Sequence, residues 1–503
     1  LRFIGAVLIA LLWIGLTSLK TEAFQYEGDK GKLSLTGYLE GKAVYAFDGD
    51  TPEENPSVEL GLELKASSAS WLSTKIFLQA VDDGKVINPK NKALFNQFDR
   101  IYQDKNPYVN INEAYLDIYT GKVDFRLGVQ KFAWGRLDEI NPTDNLNTMD
   151  LTEGGTNDEI ERKIGVPSLK INMYSDLANV ELGWVPVYVP YRLPQPDERW
   201  FPKVLKPPEI IKTDTLVGDI PVNTIYQDID LPPDTVGNSE MGVRVSKYIG
   251  GWDISCSYFT GYDTLPLMDA PVDLTVKLLN PLALDYQINA QVTMVPEIHR
   301  MDVFGFDFTT TMSSFTIRGE YAYFKNKYYN QKLDPVLEQL VTKARQDEIY
   351  KDFIVKYLAS GGRDNVQVYH IDPHIPIQED SMKYGLGLDY IHGDTSVSIQ
   401  CIQEFIPNYD EDKPVYFNKN GVDTMLTFLF KQFFLQNTME FNMRAAYDIE
   451  FQDVIIKPSL KYNFTDNLQG TIGVLFISSK YNDSLLGQFD DNDEIFAKLR
   501  CAF

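Results

Sequence analysis

Long apolar runs are what this 503-residue sequence most plainly lacks. Beyond Ala23, no stretch approaches the roughly 20 apolar residues that a membrane-spanning helix needs. A membrane location therefore requires a closed barrel, in which every backbone group pairs between strands. Cysteine is scarce too. Cys256, Cys401 and Cys501 are odd in number and far apart, so no disulfide framework follows, and no pair has metal-ligand spacing. The four histidines are His299, His370, His374 and His392. His370-Ile371-Asp372-Pro373-His374 sets two of them close, but Pro373 intervenes and no third ligand lies nearby, which argues against a metal site. No cofactor is implied. The sequence has no G-x-S-x-G elbow, no H-E-x-x-H and no phosphate-binding loop, so it does not read as an enzyme. A catalytic pair whose members are distant in sequence would escape that test. Finally, positive charge is in deficit. A net charge of −24 argues against nucleic acid as a partner. It fits an acidic pore that favours cations, acidic loops that take divalent ions beside lipopolysaccharide, or loops that are simply kept solvated.

The start of the chain has the layout of a cleaved secretory signal. Arg2 is followed by an apolar run from Phe3 to Leu16 and then by Thr21-Glu22-Ala23. Cleavage after Ala23 is expected, leaving residues 24–503 as the exported protein. Segments of strict alternation then follow, and in a strand alternate side chains face opposite sides. Leu33, Leu35, Leu39, Ala43, Tyr45 and Phe47 share one face; Ser34, Thr36, Tyr38, Glu40 and Lys42 share the other. The pattern returns at 58–65, 123–130, 241–246, 315–323, 382–390 and 439–447. A membrane barrel needs this alternation for about 10 residues at a time, with one side to lipid and one to the lumen. The 29 Tyr and 29 Phe suit the aromatic girdles of such a barrel, and they suit a soluble β-rich protein as well.

The last strand is the most specific element. Ile495, Ala497, Leu499, Cys501 and Phe503 fall on one face; Glu494, Phe496, Lys498 and Arg500 fall on the other. A terminal strand ending on an aromatic residue resembles the segment that the outer-membrane assembly machinery reads. Together these features predict an all-β fold, a single transmembrane antiparallel β-barrel in the outer membrane of a Gram-negative bacterium. About nineteen strand-like stretches are visible. Because single-chain bacterial barrels have even strand numbers, 18 strands are expected, with 16 as the alternative. Three insertions interrupt the alternation. Residues 134–162 are rich in Asn and Asp. Residues 186–237 are rich in Pro and read as an irregular external loop or lid. Residues 326–380 hold a helical stretch, with Asp334 as N-cap, Pro335 as first helical residue and Gly361-Gly362 as its end. That helix can constrict the pore, cover its mouth or serve as plain packing.

The densest motif runs Gly128-Val129-Gln130-Lys131-Phe132-Ala133-Trp134-Gly135-Arg136-Leu137-Asp138, then Asn141-Pro142-Thr143-Asp144-Asn145-Leu146-Asn147 and Met149-Asp150-Leu151. It resembles a family of porin-like outer-membrane barrels from proteobacteria, largely of unassigned function. In that family a strand ends in G-x-Q-x-x-x-W-G and leads into a D-x-x-N-P-x-D-x-x-N-P-x-D loop. Thr148 stands where the family often has a second Pro, which leaves the exact turn open. Taken by its residues, the segment is a folded loop in which Asn and Asp side chains hold turns. It either closes a gap in the wall by bonding to itself or folds inward to meet a solute through Trp134, Arg136, Asp138, Asn141, Asp144, Asn145 and Asp150. Candidate lumenal residues are Arg126, Gln130, Arg244, Arg318, Glu320, Glu440 and Arg444. Such charges set ion preference or brace the wall in salt bridges. The leading expectation is a channel for passive or substrate-selective passage of small solutes. The alternative is a docking or lipid-trafficking barrel that works with a periplasmic or inner-membrane export system. Outer-membrane lipid and lipopolysaccharide would surround it, and the resemblance leaves a homo-oligomer open, since trimers are common among porins.

Overall fold

Eighteen alternating segments pair edge to edge, each with its chain neighbour and the last with the first. This is seen in a computed structural model that describes residues 24–503 apart from 29–30, 48–52, 69, 85–99, 102–106, 155–158, 195, 197, 213–218, 281–284 and 341–342. The expected leader, residues 1–23, lies outside the described residues. The wall strands are β1 (Gly31–Ala46), β2 (Glu53–Ser67), β3 (Leu72–Asp82), β4 (Tyr108–Tyr119), β5 (Val123–Gln130), β6 (Val166–Met173), β7 (Asn179–Val185), β8 (Glu240–Ile249) and β9 (Trp252–Tyr262). They continue as β10 (Arg300–Met312), β11 (Phe315–Asn330), β12 (Pro376–His392), β13 (Thr395–Phe405), β14 (Val422–Phe434), β15 (Met439–Asp448), β16 (Val454–Asn463), β17 (Leu468–Ser478) and β18 (Glu494–Ala502). All wall pairings are antiparallel, and the expected strand number of 18 is the observed one. Closure is made by β18 against β1, from Ala46–Glu494 to Tyr38–Ala502. Gly37 and Phe503 then exchange both backbone hydrogen bonds, at 2.8 and 2.9 Å. Phe24–Gly28 folds back onto the start of β1, in line with the end of β18.

Register carries one parity around the whole wall. Arg126 faces Lys170, Arg244 faces Ser257, Asp307 faces Glu320, and Arg444 faces Lys457. This inner set is polar. The outer set is apolar and exposed, with Leu127, Leu386 and Ile472 each more than half accessible. Such a band would be a liability in water; in a barrel it faces lipid. Aromatic rings pair near both rims, Phe315 with Tyr390 and Tyr462 with Phe464 at one end, Tyr258 with Phe304 toward the other. One end of the barrel has turns as short as Gly250-Gly251 and Gly393-Asp394. The opposite end carries the long insertions.

Those insertions differ in part from expectation. Residues 326–330 and 376–380 belong to β11 and β12, whose ladder continues past a register shift to Asn330–Pro376. The third insertion is therefore 331–375. An insertion that alternation did not separate, between β9 and β10, supplies the strands Leu267–Asp269, Val272–Asn280 and Asp285–Glu297. Ile210–Ile211 and Ile220–Tyr226 from the Pro-rich segment, and Val366–Ile371 from the third insertion, complete a separate sheet. The Pro-rich segment is thus partly ordered strand. Val272, Leu274, Val276 and Leu278 bury one face of this sheet against helices α1 (Leu333–Leu340) and α2 (Lys343–Ala359), with Leu337 and Phe353 almost fully enclosed. The helical insertion is the core partner of a cap at the loop end. Its C-terminus is stopped where expected: Gly361 and Gly362 adopt φ of +68° and +78° and bond back to Leu358 and Tyr357, as a left-handed cap requires.

Candidate functional site

The loop from 131 to 165 leaves β5, enters the barrel and reaches inner-wall side chains on opposing sides. Two glycines make the path possible. Gly128, the first residue of the motif, sits at φ +135°, and a Cβ there would stand 2.2 Å from the carbonyl oxygen of Ala114. Gly135, at φ +87°, packs against Glu320, where a Cβ would stand 2.7 Å from Oε1. Only glycine tolerates such a backbone with so close a neighbour.

Beyond Gly135 the loop is stitched to β9–β13. The Glu320 carboxylate accepts the backbone N–H groups of Arg136, Leu137 and Thr143 and the Thr143 hydroxyl. The Arg136 guanidinium donates to Asp307 at 3.0 Å and to Asp253 at 2.6 Å. Arg244 donates to the same Asp307 from the wall, at 3.0 and 3.2 Å. Asp138 accepts from Arg318 at 2.6 Å and from Gln400 at 2.9 Å, and Arg318 also holds Asp389 at 2.6 Å. On the other side Glu139 meets Arg444 at 3.3 Å, and Glu153 meets Lys42 at 2.5 Å.

The loop is also bonded to itself. Asn147 bridges the backbone N–H and C=O of Phe132, at 2.8 and 2.7 Å. Asn145 donates to the carbonyl of Pro142 at 3.0 Å. Asp144 accepts from Lys163 at 2.6 Å and from Asn147 at 2.7 Å. The Asn141 carbonyl accepts the N–H of Asp144. Asp150 pairs with Arg192 of the next loop. Thr148 pairs with Ile164 in a two-residue ladder, which a proline would interrupt. Trp134 is buried and donates Nε1 to Glu181 at 2.5 Å. Lys131, at the loop's start, is pushed down to about 8 by burial, since desolvation disfavours the charged form. The two sequence-based alternatives for this segment, self-bonding and inward folding, thus coexist.

The remaining candidates lie on the inner parity, and most are in ion pairs. Arg126 makes a two-pronged contact with Asp117 at 2.7 and 3.0 Å and stacks 3.8 Å over the Tyr115 ring. Glu440 pairs with Lys461 at 2.7 Å. Gln130 is fully enclosed and donates to the carbonyls of Arg126 and Ser168. Asp307, Asp253, Gln400 and Glu181 were not singled out from sequence. Asp307 did leave a signal, as a carboxylate set between Phe306 and Phe308 in mid-strand. Near the cap, Asp269 brings a carboxylate oxygen within 4.8 Å of ligand atoms of Asp372 and His374, a third group that local spacing did not supply.

On the cap side of the loop lies a cavity of about 610 Å³. The following loop helps to wall it: Trp200 packs on Leu475 and Ile477 of β17, and Arg199 pairs with Glu494.

No family model matches the sequence, and no curated protein matches it. Among solved structures, Acinetobacter baumannii OccAB1 is 9% identical, covering 97% of this chain and 99% of its own, with a TM-score of 0.47. Pseudomonas aeruginosa OccK8 (OprE) is 8% identical over 94% and 98%, with a TM-score of 0.43. A Salmonella typhi OmpF complex with daunomycin is 9% identical over 95% and 100%, with a TM-score of 0.39. At this level of similarity nothing of their chemistry carries over to these residues.

Proposed function

We infer that this chain is a selective channel of a Gram-negative outer membrane, in which small solutes cross a lumen narrowed by the 131–165 loop. One observation carries the reading. A single loop is bonded to β10, β11 and β13 on one side and to β1 and β15 on the other, with a cavity of about 610 Å³ beyond it. A barrel of 16–18 strands has room for an aqueous passage, and a loop held in mid-lumen converts a wide passage into a discriminating one. The ion pairs on the inner wall hold that loop and brace the strands. The alternative, a docking or lipid-trafficking barrel, calls for a lateral opening. Every wall strand is instead laddered to both of its neighbours, with nine residue pairs between β1 and β18, and this favours the channel. The apolar outer band would lie in outer-membrane lipid and lipopolysaccharide, and the strand ending at Phe503 is the segment an assembly machinery would read.

Single-channel recording of the folded 24–503 protein in planar bilayers tests the reading. Steady conductance steps are expected, and a salt gradient reads the ion preference. Silence from protein that keeps the migration of a folded barrel in unheated gels would overturn the channel in favour of the docking role.

A further inference from the structure

The cavity beyond the loop has predominantly apolar walls, among them Trp200, Phe417, Phe489, Leu475 and Ile455. Its volume is in the range that holds a small organic ligand. Set in these walls are polar groups that the protein leaves unmatched. Asn418 is 3% exposed, and neither its Oδ1 nor its Nδ2 has a hydrogen-bond partner. Gln488 is 1% exposed, and its Oε1 has none. Asp423 presents a buried Oδ1 that accepts from no N–H or hydroxyl donor, beside the carboxyl of Asp448. Buried polar atoms are ordinarily satisfied, and two such amide side chains lining one cavity with Asp423 mark a place where something else supplies the hydrogen bonds.

Charge narrows what that is. Asp423, Asp448 and Glu450 bring carboxylate oxygens within 4.8 Å of one another. Five cations line the cavity. Arg162 and Arg444 both pair with Glu139, Lys327 with Asp263 and Lys383 with Glu404, and Lys457 lies over the Phe496 ring. Glu450 accepts neutral donors from Thr424, and Asp448 accepts the N–H of Phe451. The Asp423 and Asp448 carboxyl groups hydrogen-bond to each other through a shared proton, a place that a bound cation would take. Three converging carboxylates beside an apolar chamber favour a compact positive charge carried on an apolar body.

We propose that this chamber binds small organic cations, with a primary ammonium at Asp423, Asp448 and Glu450, a hydrogen-bonding group at Asn418, and the apolar body against Trp200 and Phe417. The proposal rests on the channel reading only for the route by which the solute arrives. Equilibrium binding to the folded protein therefore tests it apart from conduction.

Isothermal titration of the detergent-solubilised 24–503 protein is run with n-hexylammonium, 1-hexanol, hexanoate and calcium chloride. Hexylammonium is expected to bind at least tenfold more tightly than hexanol or hexanoate. Asp423→Asn is expected to remove most of that preference while leaving hexanol unchanged, and Asn418→Leu to weaken hexylammonium in a protein that stays folded. Hexanoate binding as tightly as hexylammonium would overturn the proposal, as would calcium binding without hexylammonium binding, or no binding at all. Absence of conductance with hexylammonium binding intact would sink the channel and leave this site standing. Conductance without binding would do the reverse.

Discussion

Replacing Glu320 by alanine should loosen the lumenal loop without loosening the barrel. Glu320 is 4% exposed, and its carboxylate accepts three backbone N–H groups, those of Arg136, Leu137 and Thr143, together with the Thr143 hydroxyl. Removing the acceptor leaves those donors unmet in a buried place, at about 1–3 kcal/mol each. Partial entry of water lowers the total, so on the order of 3–6 kcal/mol of docking free energy is lost. At tenfold per 1.4 kcal/mol, the docked-to-undocked ratio falls by roughly 10²–10⁴. The loop still keeps Arg136 on Asp307 and Asp253, and Asp138 on Arg318, so the expected state is docked with frequent excursions. In bilayer recordings the Ala variant should flicker to a larger conductance level. Glu320→Gln, which retains one acceptor oxygen and loses the charge, should fall between the Ala variant and the parent. Trypsin added on the loop side should cut near Arg136 faster in both variants. Gel mobility before heating should stay that of the parent, because no wall ladder is touched. A Glu320→Ala protein with the parent's current trace and the parent's protease resistance would refute the view that this carboxylate latches the loop.

The same geometry predicts that Gly135→Ala, which drives a Cβ to 2.7 Å from the Glu320 carboxylate, reproduces the flicker of the Ala variant with Glu320 intact. Phe353→Ala removes a fully enclosed ring from the cap core and should cost about 3–5 kcal/mol. The loss should appear as a separate low-temperature transition of the cap in calorimetry, ahead of that of the barrel. Deleting Phe503 removes the paired hydrogen bonds to Gly37 and should reduce the yield of heat-modifiable, folded protein in refolding assays. For Lys131, held at about 8 by burial, the sign runs toward alkali. Below pH 8 it is charged whether folded or unfolded, and between pH 8 and the ordinary lysine value the unfolded chain binds the extra proton. Stability from this group therefore rises with pH across that window, and Lys131→Met should flatten the rise in denaturant titrations.

The wall was readable because its cause is local. Each of the segments 123–130, 315–323, 382–390 and 439–447 alternates since lipid and lumen lie on opposite sides of one backbone, and all four fall within wall strands. The same local rule misleads where a sheet has two dissimilar faces for another reason. Val272, Leu274, Val276 and Leu278 alternate with Asp273, Thr275 and Lys277 in a strand that covers helices outside the barrel. Nothing in a period of two tells a helix-facing side from a lipid-facing one.

The loop divides along the same line. Its internal bonds span two to 23 residues, as in Thr152 to Asp150 and Arg162 to Glu139, and turn chemistry announces the shortest of them. Its partners on the far wall lie 171 and 262 residues away, at Asp307 and Gln400, and they become neighbours only when the eighteenth strand closes on the first. A lumenal site in such a protein is a consequence of closure. Its two halves can be recognised in a sequence as polar residues on the inner parity, but which half meets which is set by the circumference of the barrel and by where two glycines let the loop turn.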